Sequence, residues 1–124
     1  MRTEPQVRKV VNNYVRKWKK ILCLDLWEID IYIREWLMPG ENTGDGNDAA
    51  ARTHTDWRYI RGDTQYSYML VKDMTDGEIE KLVIHEMAHY LVNQMSNNDS
   101  RSIDNEERVV SHLTVVLFNL AGGK

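Results

Sequence analysis

Two histidines and a glutamate stand close together in the segment His85-Glu86-Met87-Ala88-His89. Residues four positions apart lie on the same face of an α-helix, so His85 and His89 can bind one metal ion if the segment is helical. Zinc accepts imidazole nitrogens in a tetrahedral arrangement. Glu86 follows the first histidine directly, at the edge of the metal-facing surface, where its carboxylate can contact a water activated by the metal without binding the metal. The spacing predicts two metal ligands and one general base on one helix.

The residues around this segment favour a metal site over a chance match. The stretch 82–92 is apolar on nearly every side, which is typical of a central, buried helix. Two histidines and a glutamate in such a helix are unfavourable without a compensating partner, and a metal ion supplies one. The alternative is a pair of hydrogen-bonded core histidines beside an unrelated glutamate, which would make the protein a metal-free structural domain.

A catalytic zinc site usually has three protein ligands and one open position. The predicted last helix, from Asp104 to Leu120, carries an apolar stripe, and at about 100° per residue Glu106 falls at its centre. The residues of that stripe are Ile103, Val109, Val110, Leu113, Val116, Leu117 and Leu120. A metal explains a carboxylate directed into a core, so Glu106 is the predicted third ligand.

Other residues stay open for the third position or for a supporting role. Glu107 is three residues after Asp104, a spacing that fits a capping box at the start of the helix. Glu107 and His112 remain alternative ligands, and His112 is also a candidate hydrogen-bond donor near the metal. His54 alternates with charged neighbours along a strand and is predicted to face solvent.

The elements that must position these residues can be read along the chain. Thr3, Pro5 and Gln6 predict the start of a first helix. Alternation from Trp27 to Arg34 predicts a half-buried strand. The remaining expectations are a loop over 38–48, strands over 51–60 and 65–72 joined by a turn containing Gly62-Asp63, a helix from Thr75 or Asp76 to about Met95, and the last helix over 104–120. We therefore expect one α+β domain over residues 1–124, with a three- to four-stranded mixed sheet.

Composition narrows the class of protein. The chain has 124 residues, 42% of them hydrophobic and 28% charged, as expected for one globular domain. The net charge of -3 predicts no general attraction to nucleic acid or to an acidic membrane. The only cysteine, Cys23, excludes an intramolecular disulfide and a cysteine-based zinc site, and we expect it to be buried. No apolar run has the length of a signal peptide or a membrane span, which predicts a cytoplasmic protein.

The predicted first helix has a basic face made of Arg8, Lys9, Arg16, Lys17, Lys19 and Lys20. A solvated helix face is the favoured interpretation. A patch for nucleic acid or for an acidic partner is the alternative.

The motif and its context resemble the zincin superfamily of metallopeptidases, and specifically its glutamate-ligand branch, the gluzincins, in the short form found among bacterial and phage-encoded metallopeptidases. The resemblance covers about residues 27–118: strands, the HEMAH helix, a loop and a helix that begins NEERVV. It implies that His85 and His89 bind zinc and that Glu86 is the catalytic base and acid. It also implies a third ligand from the glutamate that opens the later helix, which follows His89 by 17 residues if it is Glu106.

The implied activity is hydrolysis of a peptide or protein substrate by a zinc-activated water, with Glu86 as general base. The family also aligns its substrate along an edge strand, here about Arg52 to Tyr59. The chain departs from the thermolysin-like signature beyond Asn105-Glu106, and it lacks the third histidine and methionine turn of metzincins. The alternative is a zinc-bearing regulatory or binding module with little or no peptidase activity.

Overall fold

The computed structural model describes residues 2–35, 50–56, 59–92 and 100–121, and for residues 100–106 it describes the backbone alone. The predicted loop over 38–48 therefore lies outside the described residues. Within them the chain forms four helices and three strands, which confirms the predicted α+β class.

The first helix, α1, spans Glu4–Ile21, and its start is built as the sequence predicts. Thr3 and Gln6 form a reciprocal capping box, and Pro5 lies in the first turn, where its missing N–H is not needed. The side of α1 that faces the protein buries Val7, Val11 and Trp18. Its basic residues Arg8, Lys9, Arg16, Lys17 and Lys20 are exposed.

The three strands are β1 (Glu28–Arg34), β2 (Ala51–Asp56) and β3 (Arg61–Ser67), and they form one mixed sheet in the order β1-β3-β2. β3 is the central strand: it pairs parallel with β1 and antiparallel with β2. The alternation predicted from Trp27 to Arg34 is confirmed as β1, but the boundaries of the next two strands differ from the prediction.

The predicted turn at Gly62-Asp63 is wrong, because both residues lie in the central strand β3. The chain reverses earlier, near Ile60, whose φ of 53° is left-handed. Gly62 is needed for close packing and not for a turn: a Cβ there would lie 2.6 Å from the main-chain oxygen of His54 and 2.7 Å from Cε1 of Tyr90. The strand predicted over 65–72 also ends early, since Tyr68–Val71 form the short helix α2.

The long helix α3 spans Asp76–Val92 and is the centre of the molecule, with contacts to α1, α4 and β2. Thr75 and Glu78 exchange hydrogen bonds of 3.1 and 3.2 Å at its start, which confirms the predicted N-terminus. α3 is described as far as Val92, so its predicted end near Met95 lies outside the described residues. The last helix, α4, spans Ser100–Leu120 and so begins before the predicted Asp104.

The core lies between the helices and one face of the sheet. Its fully buried side chains come from α1, β3 and α3 above all, and include Trp18, Tyr66, Ile79, Ile84 and Met87. The prediction of a buried Cys23 is wrong. α1 ends at Ile21 and the backbone turns through a left-handed φ of 58° at Cys23, which brings Leu24 into the core in its place.

None of the helices in the described parts of the chain is long and apolar enough to cross a membrane.

Candidate metal centre

His85 and His89 lie one turn apart on α3 and present their rings to the same side of the helix, toward α4. The ring centroids are 5.1 Å apart and the ring planes meet at 74°. The side chains are 25% and 11% exposed, so the pair lies at the edge of the core with access from solvent. The predicted side-by-side arrangement of the two imidazoles on one helix face is present.

The carboxylate of Glu107, on α4, lies between the two imidazoles. Its Oε2 is 3.4 Å from Nε2 of His85, and its Oε1 is 3.1 Å from Nε2 of His89. Nitrogen and oxygen ligands of one tetrahedral zinc ion lie about 3.3 Å from one another, given metal–ligand distances near 2.05 Å. These two contacts use different oxygens of Glu107, so the carboxylate spans the gap between the two rings. Two imidazoles with one carboxylate are a donor set that zinc accepts, and a rotation of the Glu107 carboxylate would let one of its oxygens share a zinc ion with both nitrogens.

Hydrogen bonds from His85 and, next, from His89 hold the pKa of the Glu107 carboxyl well below its usual range. These hydrogen bonds belong to the metal-free protein, because an imidazole nitrogen that donates a proton must lose it before it binds a metal. An ionised carboxylate is the form that binds a metal. The Glu107 side chain is 55% exposed to solvent.

The face that α4 turns to the rest of the protein differs from the predicted one. Val110, Thr114 and Phe118 are its buried residues, and Glu107 continues the same row one turn earlier. Three residues of the predicted stripe point outward: Val109, Val116 and Leu120 are 47%, 38% and 79% exposed. The predicted stripe is therefore confirmed only in part: Val110 is buried and Leu117 packs against the core, but apolar residues also occur on the outer side of α4.

Glu106 has a side chain outside the described part of the structure, so its predicted role as a ligand stays a prediction. Of the two glutamates that follow Asn105, Glu107 is the one whose described side chain contacts the histidines. The helical spacing of three to four residues indicates that one face of α4 carries Glu107, Val110, Thr114 and Phe118. Because Thr114 is polar, this face does not stand out in the sequence as an apolar one.

Glu86 points from α3 toward the sheet and is only 5% exposed. It offers an oxygen within 4.8 Å of a nitrogen of each histidine, so the three residues form a group compact enough to surround a metal ion. Its Oε1 accepts a hydrogen bond of 2.7 Å from Oγ1 of Thr53 on β2. Burial raises the pKa of the Glu86 carboxyl, while the nearby His89 and the Thr53 hydroxyl oppose that rise.

Thr53 belongs to a chain of hydroxyl groups that sequence reasoning missed. Thr53 and Thr64 are paired across β2 and β3, with their Oγ1 atoms 3.1 Å apart. Oγ1 of Thr64 is 2.8 Å from the hydroxyl of Tyr90, four residues after Glu86 on α3. Only the strand register brings the two threonines together, and no sequence spacing predicts that register.

A cleft of about 610 Å³ is lined by two of the three motif residues, His85 and Glu86. Its walls come from the N-terminal half of α3, the start of β2 and the inner face of α4. The residues that line it include Ala51, Leu82 and Thr114. The cleft gives an extended ligand a route to the buried carboxylate.

Two other histidines lie away from this group. His54 is exposed on the opposite face of the sheet, paired in register with Asp63, which confirms the prediction that it faces solvent. His112 is exposed on α4, beside Arg108, Val109 and Leu113. Neither is among the described residues that could together hold a metal ion.

Comparison of the chain with known protein families, with curated proteins and with solved structures finds no match. The resemblance to zincins therefore stays a prediction made from the motif.

Proposed function

We propose that this protein is a zinc-dependent metallopeptidase in which His85, His89 and Glu107 hold the metal and Glu86 is the general base. The observation that carries the proposal is the convergence of two imidazole Nε2 atoms on the Glu107 carboxylate, at 3.4 and 3.1 Å, with the buried Glu86 beside them. The zincin-like motif predicted from the sequence supports the roles of His85, His89 and Glu86, while the predicted third ligand is Glu106 and the proposed one is Glu107.

The roles of the two glutamates follow from their surroundings. Glu107 contacts both rings directly, which suits a ligand. Glu86 has one oxygen committed to Thr53, and its carboxylate is directed toward the sheet. A carboxylate held in that way suits proton transfer better than metal binding, so we assign Glu86 as the base and Glu107 as the third ligand.

The chemistry then depends on the chain's own groups. Zinc, when bound, lowers the pKa of water toward about 7 and polarises a carbonyl group. Glu86 accepts a proton from the attacking water on Oε2, the oxygen that Thr53 leaves available. It then donates this proton to the leaving amine. Burial supports both steps, because a raised carboxyl pKa makes Glu86 a better base and holds the proton until the amine takes it.

The sheet offers a place for an extended peptide. β2 is an edge strand within the described sheet, since it pairs with β3 on one side only. An edge strand is the part of a sheet to which an extended peptide binds by strand addition. Thr53 lies on this strand and contacts Glu86, so a peptide along β2 would pass close to the base. We propose a peptide or protein segment in extended conformation as the substrate.

A second candidate function is a zinc-bearing binding module with little cleavage. The exposed basic residues of α1 favour it, because Lys9, Arg16 and Lys20 offer a surface to an acidic partner beside the ion pairs of Arg8 with Glu4 and Lys17 with Glu80. A cytoplasmic location, predicted from the single cysteine and from the lengths of the apolar runs, belongs to both proposals.

A peptide-library assay separates the two functions. Zinc-loaded protein is incubated with a mixture of unstructured peptides, with and without a chelator, and new peptide ends are identified by mass spectrometry. Cleavage that stops with the chelator, returns with zinc and is absent in Glu86→Gln supports the peptidase. Full zinc content with no chelator-sensitive cleavage would favour the binding module.

A further inference from the structure

α3 carries two pairs of residues with the same four-residue spacing, on adjacent faces of the helix. His85 and His89 turn toward Glu107 on α4. Glu86 and Tyr90 turn toward the sheet, and each contacts one of the two cross-strand threonines. The helix is thus fixed on one side by the groups proposed to bind the metal, and on the other by four linked polar side chains.

The direction of the hydrogen bonds in this second set is determined by the carboxylate. An ionised Glu86 only accepts, so the Thr53 hydroxyl must donate to Oε1. A hydroxyl has one proton, so Oγ1 of Thr53 then accepts from Thr64, and Oγ1 of Thr64 accepts from Tyr90. Every hydroxyl proton in the chain points toward Glu86. Such chains strengthen each of their hydrogen bonds, most of all where water is excluded.

The position of Glu86 makes a restraint necessary. Its carboxylate lies close enough to both imidazoles to enter a metal site as a further ligand. A carboxylate on the metal would occupy the position that water needs and would no longer be available as a base. The Thr53 hydroxyl, at 2.7 Å, holds Oε1 on the side of the sheet and opposes that rotation.

We propose that Thr53 is a positioning residue that keeps the Glu86 carboxylate off the metal and turned toward the substrate water. The inference rests on the proposed peptidase function and gives the edge strand β2 a second role, which is to position the base. Thr64 and Tyr90 support it by fixing the direction of the Thr53 hydroxyl.

The test compares Thr53→Val with Thr53→Ser in the zinc-loaded protein. Valine has the shape and strand preference of threonine but no hydroxyl, whereas serine keeps the hydroxyl. We expect Thr53→Val to lower kcat by about 10- to 100-fold with KM unchanged, as for other groups that orient a metal site. Thr53→Ser should restore most of the activity.

Thr3→Val is the matched control for a lost threonine hydroxyl. Thr3 caps α1 far along the chain from the motif, so this variant should lose stability and keep its kcat. Equal kcat values for wild type and Thr53→Val would overturn the inference while leaving the peptidase in place. Equal losses in Thr53→Val and Thr53→Ser would overturn it too, because the hydroxyl would then be irrelevant.

Two readouts do not depend on activity. Zinc affinity measured by competition with a chelating dye should be no weaker in Thr53→Val than in wild type, because a released Glu86 can add a ligand. Crystal structures of both zinc-loaded proteins should show the carboxylate rotated toward the metal in the variant. A carboxylate that keeps its orientation in Thr53→Val would overturn the inference. Wild-type protein that cleaves no peptide would overturn the proposed function instead. In that case the two crystal structures would still show whether Thr53 positions Glu86.

Discussion

Glu107 of α4 lies directly against His89 of α3, with its Oε1 atom 3.1 Å from Nε2 of the ring. The same carboxylate reaches His85 through its second oxygen at 3.4 Å. One side chain from the last helix thus contacts both histidines of the motif. Substitution of Glu107 and of Glu106, one at a time, can therefore show which glutamate binds the metal.

Glu107→Gln should weaken zinc binding by more than about 100-fold, because loss of a ligand exceeds the 10- to 100-fold cost of losing a group that merely orients one. Glu106→Gln is the matched control and should change the affinity little. Competition with a chelating dye measures both. The reverse ranking would show that Glu106 is the third ligand, as the sequence pattern predicts, and would contradict the assignment of Glu107.

Glu86→Gln should keep the zinc and abolish peptide cleavage, and it should also stabilise the metal-free protein. Burial raises the pKa of Glu86 above its ordinary 4.5, so the folded state binds the proton more tightly than the unfolded state. Ionisation of Glu86 therefore lowers the free energy of unfolding. This decrease is absent below about pH 4.5 and becomes larger as the pH rises through the raised pKa.

Urea unfolding of metal-free wild type and Glu86→Gln, at pH 4 and at pH 7.5, checks this sign. The amide should give a gain on the order of 1 kcal/mol at pH 7.5 and little at pH 4. A Glu86→Gln protein that is less stable than wild type at pH 7.5 would show that burial of the ionised carboxylate does not destabilise the fold.

Two buried tyrosines should respond differently to loss of their hydroxyl groups. The hydroxyl of Tyr90 is hydrogen-bonded to Thr64, whereas that of Tyr66 is buried without a partner among the described residues. Tyr90→Phe should lower the free energy of unfolding by about 1 kcal/mol, and Tyr66→Phe should leave it unchanged or raise it. Chemical unfolding of the metal-free proteins measures both, and an equal loss in the two variants would contradict the hydroxyl chain.

Gly62→Ala should be destabilising by about 1–3 kcal/mol, because the added methyl group meets the main chain of His54 and the ring of Tyr90 at 2.6 and 2.7 Å. Tyr90 also packs edge-on against Trp27, with ring centroids 5.2 Å apart, so it has little room to move. Gly77→Ala, in the first turn of α3, is the control and should be neutral or stabilising by up to about 1 kcal/mol. Thermal unfolding compares the two, and a harmless Gly62→Ala would contradict the close packing.

The sequence predicted those features that depend on local spacing. His85 and His89 are four residues apart in an apolar helix, and Thr3 and Thr75 stand at the right distance from Gln6 and Glu78 to cap their helices. Helical periodicity alone determines both results. The α+β class followed from the same patterns.

What the sequence did not reveal depends on contacts between distant segments. Valines occur on both sides of α4, so periodicity could not show that the row through Glu107 faces the histidines. Thr53 and Thr64 come together only through strand register. Glycine is common in turns, but Gly62 lies in a strand, where the close approach of Tyr90 leaves no room for a side chain.

The central claim is that two imidazoles and the Glu107 carboxylate hold a zinc ion. Elemental analysis of protein purified without added zinc tests it most directly, beside the His85→Ala/His89→Ala double variant prepared in the same way. We expect close to one zinc per wild-type chain and almost none in the variant. Wild-type protein that carries no metal and takes up none from solution, or a variant with the same zinc content as wild type, would contradict it.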